Sequence, residues 1–452
     1  MTVIKLCRKG RTGFLEPMPP KPLADALSKA MSFERPGKEW LPRPEWAIVK
    51  LYDEKRAKFP WGLKNHALAV LKAWTAAGKG SFEFYENMPE PTSRINPINC
   101  LAALLKLSEE RLRPYQKTAA QKLIASWGGI LCMPCGSGKT VTLCAVLASI
   151  DTPITLSRPR FLVVVHSRDL VEQWSKALGE WSLNGCTEVR TYQSNPDGSG
   201  RDCVIFDEAH LVAAKTLYSI ASRCGDALVI GASATPLMRD DGENMRVEAA
   251  LGSVVHQERV DDLTRQGWLC PARVVIHKTW MPETKKREPY SLVRLKCIVN
   301  NESRNLEIVG IAAFAAASGR KVMILVTELE HGKTLLGLLP NFKVAWINGS
   351  SKAKERSPEN VVKYDIVIAS NVFNTGVDFP WIDTLIFACG GKSSIGLVQR
   401  AGRVLRLFPG KRVAKIHDFW DDAEHLRQHG ARRRELYEAM GFLIETRQAR
   451  VC

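Results

Sequence analysis

The segment that decides the fold is Pro134-Cys135-Gly136-Ser137-Gly138-Lys139-Thr140. An apolar run at 129–133 precedes it and a helix-forming stretch at 141–149 follows it. Strand, glycine-rich turn and helix in that order make a phosphate loop. Gly136 and Gly138 let backbone N–H groups turn inward around an anion at a helix N-terminus. Lys139 adds a point charge there, and Thr140 offers a hydroxyl to magnesium. Ser137 lies between the glycines, and Met133 stands where the full pattern has a small residue.

Asp207-Glu208-Ala209-His210 closes a second apolar run, at 203–206, 68 residues after Lys139. In an open parallel sheet, ligands bind beyond the carboxyl ends of the strands, so this tetrapeptide and Lys139 belong to one edge. Two adjacent carboxylates there can divide the work. Asp207 can hold hydrated magnesium while Glu208 orients and deprotonates the attacking water.

Outward from these two points, short β-rich runs alternate with helical segments, the pattern of parallel βαβ units. Further strands are expected at 161–165, 227–230, 322–326, 344–347, 366–369, 384–387 and 413–417. A polar stretch at 239–273 separates two groups of strands, with a boundary near 253–269. Residues 1–98 differ in texture, being rich in Pro, Trp and Lys. They carry an apolar helical stripe of Leu63, Ala67, Val70, Leu71 and Trp74 and short strands at 48–52 and 82–85.

The ordered motifs from Arg113 to Arg406 closely resemble those of superfamily 2 helicases. Arg113-Pro114-Tyr115-Gln116 resembles the adenine-sensing segment, with Gln116 reading the purine edge. Val165 to Trp174, containing His166, Ser167 and Arg168, resembles the first strand-binding motif, and Thr191-Tyr192-Gln193-Ser194 a second. Ser233-Ala234-Thr235 resembles the motif that couples the nucleotide site to the nucleic-acid track, with His210 and Gln399 in the same coupling role. The resemblance further implies nucleic-acid contacts at Thr327, Asn348, Gly349, Ser370, Asn371 and Thr375, and nucleotide contacts at Gly376 and Asp378. Gln399 to Arg406 is similar to the arginine-finger motif, with Arg403 and Arg406 three apart on one helix turn.

Finer features resemble the group that holds the XPB-like and phage UvsW-type branch-migration helicases. These are the entry Gly267-Trp268-Leu269-Cys270-Pro271, the segment 300–305, Gln399 at the head of the last motif, and Trp46 to Leu63 in the N-terminal part. The fold expected is α/β, two tandem RecA-like parallel-sheet domains with a small α+β N-terminal domain. The boundaries are 1–98 for a DNA-binding domain, 99–258 for the ATP-binding RecA-like domain, 259–430 for the second, and 431–452 for a C-terminal helical tail. ATP and Mg2+ are the expected cofactors, and branched, forked or partly single-stranded DNA the expected partner of a monomeric, cytoplasmic protein without a membrane segment. An RNA helicase, or an ATP-driven switch that never separates strands, is the alternative.

Composition agrees with this and excludes other classes. In 452 residues, 64 Lys+Arg against 47 Asp+Glu leave +17, a balance that favours polyanions. Residues 1–98 carry 17 basic against 10 acidic side chains, and the run Arg432-Arg433-Arg434 opens a further helix that touches DNA or stays hydrated. No apolar run approaches the roughly 18 residues of a membrane helix. Twelve scattered cysteines include one C-x-x-C, Cys132 to Cys135, without a second pair at zinc spacing, so packing is its expected role. Trp346 and Phe373 are expected as buried aromatics rather than base-stacking ones, and no Asn-Lys-x-Asp guanine-reading motif occurs.

Overall fold

The computed structural model describes residues 3–36, 43–84, 95–150, 161–237, 241–370, 379–390, 402 and 404–448. The chain divides into two compact units, 1–133 with 138–258, and 134–137 with 259–452.

The first unit opens with β1 (Val3–Lys9) and β2 (Thr12–Glu16), then the helix Lys21–Ala30, β3 (Ser32–Glu34), β4 (Ile48–Lys50), β5 (Lys58–Pro60), the helix Lys64–Ala76 and β6 (Ser81–Phe84). The sheet order is β5-β2-β1-β6, with β1 and β2 antiparallel and β1 and β6 parallel, while β3 and β4 form a separate pair. Alternation along β1 buries Ile4 and Leu6, and Leu23, Leu27 and Leu63 meet them without solvent exposure. Each fully buried leucine contributes about 2 kcal/mol. Of the apolar stripe, Leu63, Ala67 and Leu71 are buried and Val70 and Trp74 half-buried against this core.

This core extends into the neighbouring layer. Ala249 belongs to it, and Tyr218 and Met245 pack against it. Arg11 donates to the Ala250 carbonyl, Arg35 pairs with Glu243 at 2.8 Å, and Asn65 bonds Ser253 at 3.1 Å. A Cβ on Gly62 would stand 2.0 Å from the Glu248 carbonyl oxygen, so only glycine lets the two backbones approach this closely.

The helix Pro97–Arg111, capped by Asn96, leads into a six-stranded sheet. Its strands are β7 (Gly128–Cys132), β8 (Phe161–Val165), β9 (Thr187–Thr191), β10 (Cys203–Asp207), β11 (Leu228–Ser233) and β12 (Val254–Gln257). Their order is β12-β7-β11-β10-β8-β9, and every pairing is parallel. β8 is buried along its length, as a strand covered on both faces must be.

The second unit holds β13 (Ala272–Lys278), β14 (Val322–Leu325), β15 (Val344–Ile347), β16 (Ile366–Ala369), β17 (Thr384–Phe387), β18 (Ala414–Trp420) and β19 (Leu443–Gln448). All pairings are parallel, in the order β15-β16-β14-β17-β18-β13-β19. The two parallel sheets with their flanking helices are RecA-like domains.

Segment 300–305 starts the helix Glu302–Ala317. Asn301 caps it, Arg304 is wholly buried against Asp421 at 2.7 Å, and Asn305 accepts from His331 at 2.9 Å. The C-terminal tail departs from the expected helix. The helix Leu426–Ala439 is followed by β19, which joins the sheet beside β13. β19 carries charged side chains and is mostly exposed, so backbone pairing rather than an apolar pattern holds it. The basic run does not form a free cationic face. Arg433 is buried against Asp418 at 2.8 Å, while Arg432 and Arg434 pair with Glu435 and Glu438 on their own helix.

Candidate functional site

Register assembles the site in the first unit. β7, β11 and β10 are neighbours; Cys132 lies opposite Ser233, and Asp207 opposite Ala232. The residues that follow all three strands therefore emerge at one carboxyl edge. Gly136 and Gly138 both take positive φ, 81° and 82°, where a side chain would be strained. Lys139 then begins the helix Lys139–Ile150. Its Nζ donates to the Met133 carbonyl at 3.2 Å, so the residue that departs from the usual loop pattern contributes its backbone rather than its side chain. Ser137 Oγ donates to the Pro134 carbonyl at 2.6 Å.

Gln116 lies 4% exposed beside this loop. Its Oε1 accepts from the Arg113 backbone N–H at 2.9 Å, and a Cβ at Gly138 would fall 2.3 Å from its Nε2. Arg113 itself donates to the Tyr115 hydroxyl at 3.0 Å.

At the end of β10, Asp207 Oδ1 accepts from the Glu208 backbone N–H at 3.0 Å, and Oδ2 accepts from Trp174 Nε1 at 2.8 Å. Desolvation and then the adjacent Glu208 push the Asp207 carboxyl above its ordinary range. Glu208 has a left-handed backbone, φ 59°, a conformation that costs a non-glycine residue about 1–2 kcal/mol. Such strain collects at functional turns. His210 Nδ1 is 3.1 Å from Ser233 Oγ and 3.5 Å from Glu208 Oε2, and Ser233 Oγ also accepts from the Thr235 N–H at 3.2 Å. Trp174 had no assigned role in the sequence reading. The available signal was the tryptophan that closes the motif running from Val165 to Trp174.

Cys132 is buried, its thiol is pushed up to about 11 by desolvation, and it contacts the Ala234 carbonyl at 3.6 Å, as a packing residue would.

The expected strand-binding residues of the first unit gather around the helix Arg168–Glu180. Ser167 caps it by accepting from the Leu170 N–H at 3.4 Å, Arg168 is exposed, and the His166 carbonyl accepts from Gln193 at 3.3 Å. In the second unit Asn348 Oδ1 accepts from Ser350 Oγ at 2.6 Å, Thr327 is half-buried, Gly349 is exposed and Ser370 is 6% exposed. Trp346 packs on Gly332, in line with a core aromatic. Arg406 is half-buried in the same unit. Phe373, Asn371, Thr375, Gly376, Asp378, Gln399 and Arg403 lie outside the described residues.

Two family models match. Residues 109–192 match the res subunit of type III restriction enzymes, and residues 305–408 the helicase conserved C-terminal domain. The DNA 3'-5' translocase XPB2 of Sulfurisphaera tokodaii is 24% identical over 377 residues, 69% of this chain and 82% of its own. The ATP-dependent DNA helicase uvsW of Enterobacteria phage T4 is 25% identical over 251 residues, 53% of this chain and 49% of its own. Among solved structures, S. cerevisiae Dbp5 bound to RNA and ADP BeF3 shares the fold, with a TM-score of 0.53 at 12% identity over 78% of this chain and 94% of the other.

Two RecA-like parallel sheets, the first with Lys139 and the turn at Asp207 and Glu208 following neighbouring strands at one edge, are an arrangement suited to an ATP-hydrolysing enzyme. The chain carries both of these helicase-family domains and has XPB-type and uvsW-type superfamily 2 relatives. It is an ATP-dependent helicase.

Proposed function

We propose that the chain is a DNA helicase or translocase that uses Mg·ATP to remodel branched, forked or partly single-stranded DNA, acting as a monomer. The observation that carries the reading is the single sheet edge shared by Lys139, Asp207, Glu208 and the His210–Ser233 pair. DNA as substrate is supported by the relatives whose names specify it and by the +17 balance of the chain. Preference for branched DNA rests on the surplus of seven basic residues in 1–98, which meet phosphates without reading sequence.

In this reading Gly136, Ser137 and Gly138 cradle the phosphates, Lys139 neutralises them, and Arg113 with Gln116 bounds the base. The donor set fits magnesium. Thr140 and Asp207 supply hard oxygen ligands, and magnesium bound with phosphates needs only one or two from protein. The ion lowers the charge barrier of phosphoryl transfer. Glu208 orients the water and accepts its proton, and Arg403 and Arg406 add positive charge as the γ-phosphate develops negative charge. Residues 1–98, 99–258, 259–430 and 431–452 then serve as the DNA-binding domain, the ATP-binding motor domain, the second motor domain and the tail. The track comprises His166, Ser167, Arg168 and Gln193 with Thr327, Asn348, Gly349, Ser370, Asn371 and Thr375. Gly376 and Asp378 contact nucleotide, and Thr235 and Gln399 complete the coupling set.

ATPase stimulation compared across single-stranded DNA, duplex, four-way junction and RNA, with a strand-displacement readout, tests the proposal. The expected order places the junction first. Stimulation by RNA alone, or stimulation without any displacement or branch movement, would overturn it.

A further inference from the structure

Trp174 is 1% exposed, and an indole has one hydrogen-bond donor and no acceptor. That donor is committed to Asp207 Oδ2 at 2.8 Å. Any other rotamer of Asp207 would strand a buried N–H, which costs about 1–3 kcal/mol. The indole and the Glu208 backbone N–H, on Oδ1 at 3.0 Å, therefore select one orientation of the carboxylate. Trp174 sits on the helix Arg168–Glu180, six residues beyond Arg168 and so about 9 Å along the axis. The same rigid element holds Ser167 and Arg168 at one end and the carboxylate's donor in its middle.

We infer that Trp174 is a positioning residue that aims Asp207 at magnesium, and that through it this helix passes strand binding at its N-terminal end to the nucleotide. The inference rests on the proposed roles of Asp207 as magnesium ligand and of 166–168 as strand contacts. It requires no direct contact between Trp174 and ATP, metal or DNA. A strand that shifts the helix start changes the indole-to-carboxylate geometry, and with it how well Asp207 serves the ion.

The test compares the full chain with Trp174→Phe, Asp207→Asn and the double variant. A methylanthraniloyl ATP analogue is titrated in magnesium and in EDTA, with and without a single-stranded DNA oligonucleotide. Trp174→Phe is expected to lose about tenfold of the gain in affinity that magnesium confers, with affinity in EDTA unchanged. The double variant is expected to bind no more weakly than Asp207→Asn alone, and DNA is expected no longer to alter magnesium-dependent binding in Trp174→Phe. Equal losses with and without metal, or additive losses in the double variant, would show a role in packing alone. If Asp207→Asn keeps the whole magnesium gain, the reading of the site fails; if only Trp174→Phe keeps it, the site stands and this inference fails. Should Trp174→Phe not fold, indole 1H–15N spectra decide the matter. Asp207→Asn, or magnesium added to the nucleotide-bound chain, is expected to move one solvent-protected indole resonance, and an unmoved spectrum overturns the inference.

Discussion

His210 Nδ1 and Ser233 Oγ stand 3.1 Å apart, linking the turn after β10 to the end of β11. Both side chains are buried, and the serine hydroxyl also receives the Thr235 N–H. On the proposed roles, a shift of the acidic turn during ATP hydrolysis would be carried by this link to 233–235. Ser233→Ala removes this link without touching Lys139, Asp207 or Glu208. ATP turnover is expected to stay within a few-fold of the parent while strand displacement falls at least tenfold. Steady-state ATPase and displacement assays on one preparation check this, and a proportional fall in both would argue against a coupling role.

Lys139 and Glu208 are expected to fail in different ways. Lys139→Ala loses the charge that neutralises the phosphates, so turnover should vanish while DNA binding stays within a few-fold. Glu208→Gln keeps magnesium binding by Asp207 and removes the base, so ATP should remain bound and uncleaved. Nucleotide retention on a rapid spin column separates the two, and weak retention in Glu208→Gln with normal turnover would remove Glu208 from the role of base.

Most internal strands were legible because a strand covered on both faces reads as a continuous apolar run, as Phe161 to Val165 does, whereas β13 inside the second sheet was not expected. The motif edge was legible for the same reason, since each motif begins where such a run stops. Edge strands were less so, although β15 was expected at 344–347. β9 and β19 are polar and pair mainly through backbone, while β12 lies in a stretch that reads as a linker. β1 was not expected either, because only Ile4 and Leu6 mark its buried face in a short stretch interrupted by basic residues. The partnership of Trp174 with Asp207 spans 33 residues and two elements, so no local pattern encodes it.

Gly62 is expected to tolerate no side chain. The nearest atoms to an added Cβ are the carbonyl oxygens of Glu248 and Ala249, at 2.0 and 2.6 Å, and backbone atoms of a helix end cannot swing aside. Gly62→Ala should destabilise the first unit by about 3 kcal/mol, at the upper end for an overpacked site. Faster hydrogen exchange is expected in the helix Asn244–Leu251. Unchanged exchange there would mean that the N-terminal layer yields instead.

Acid should weaken the second unit through its buried histidines. Desolvation pushes His331 down to about 3, with Arg304 beside it adding to the shift, and desolvation followed by His277 does the same to His417. Unfolded, each titrates near 6.5, so between the two values the unfolded chain binds more protons than the folded one. Stability then rises with pH in this window and is lost as pH falls below about 6.5. From pH 7.5 to 5.5 each histidine costs about 1 kcal/mol. His331 Nε2 bonds Asn305 Oδ1 at 2.9 Å, a contact that a glutamine amide can replace without titrating. Urea unfolding at the two pH values should therefore show a smaller acid loss in His331→Gln than in the parent, by about 1 kcal/mol. Identical losses would mean that the site admits water on protonation, since a hydrated imidazolium would no longer feel the burial that lowers its affinity for the proton.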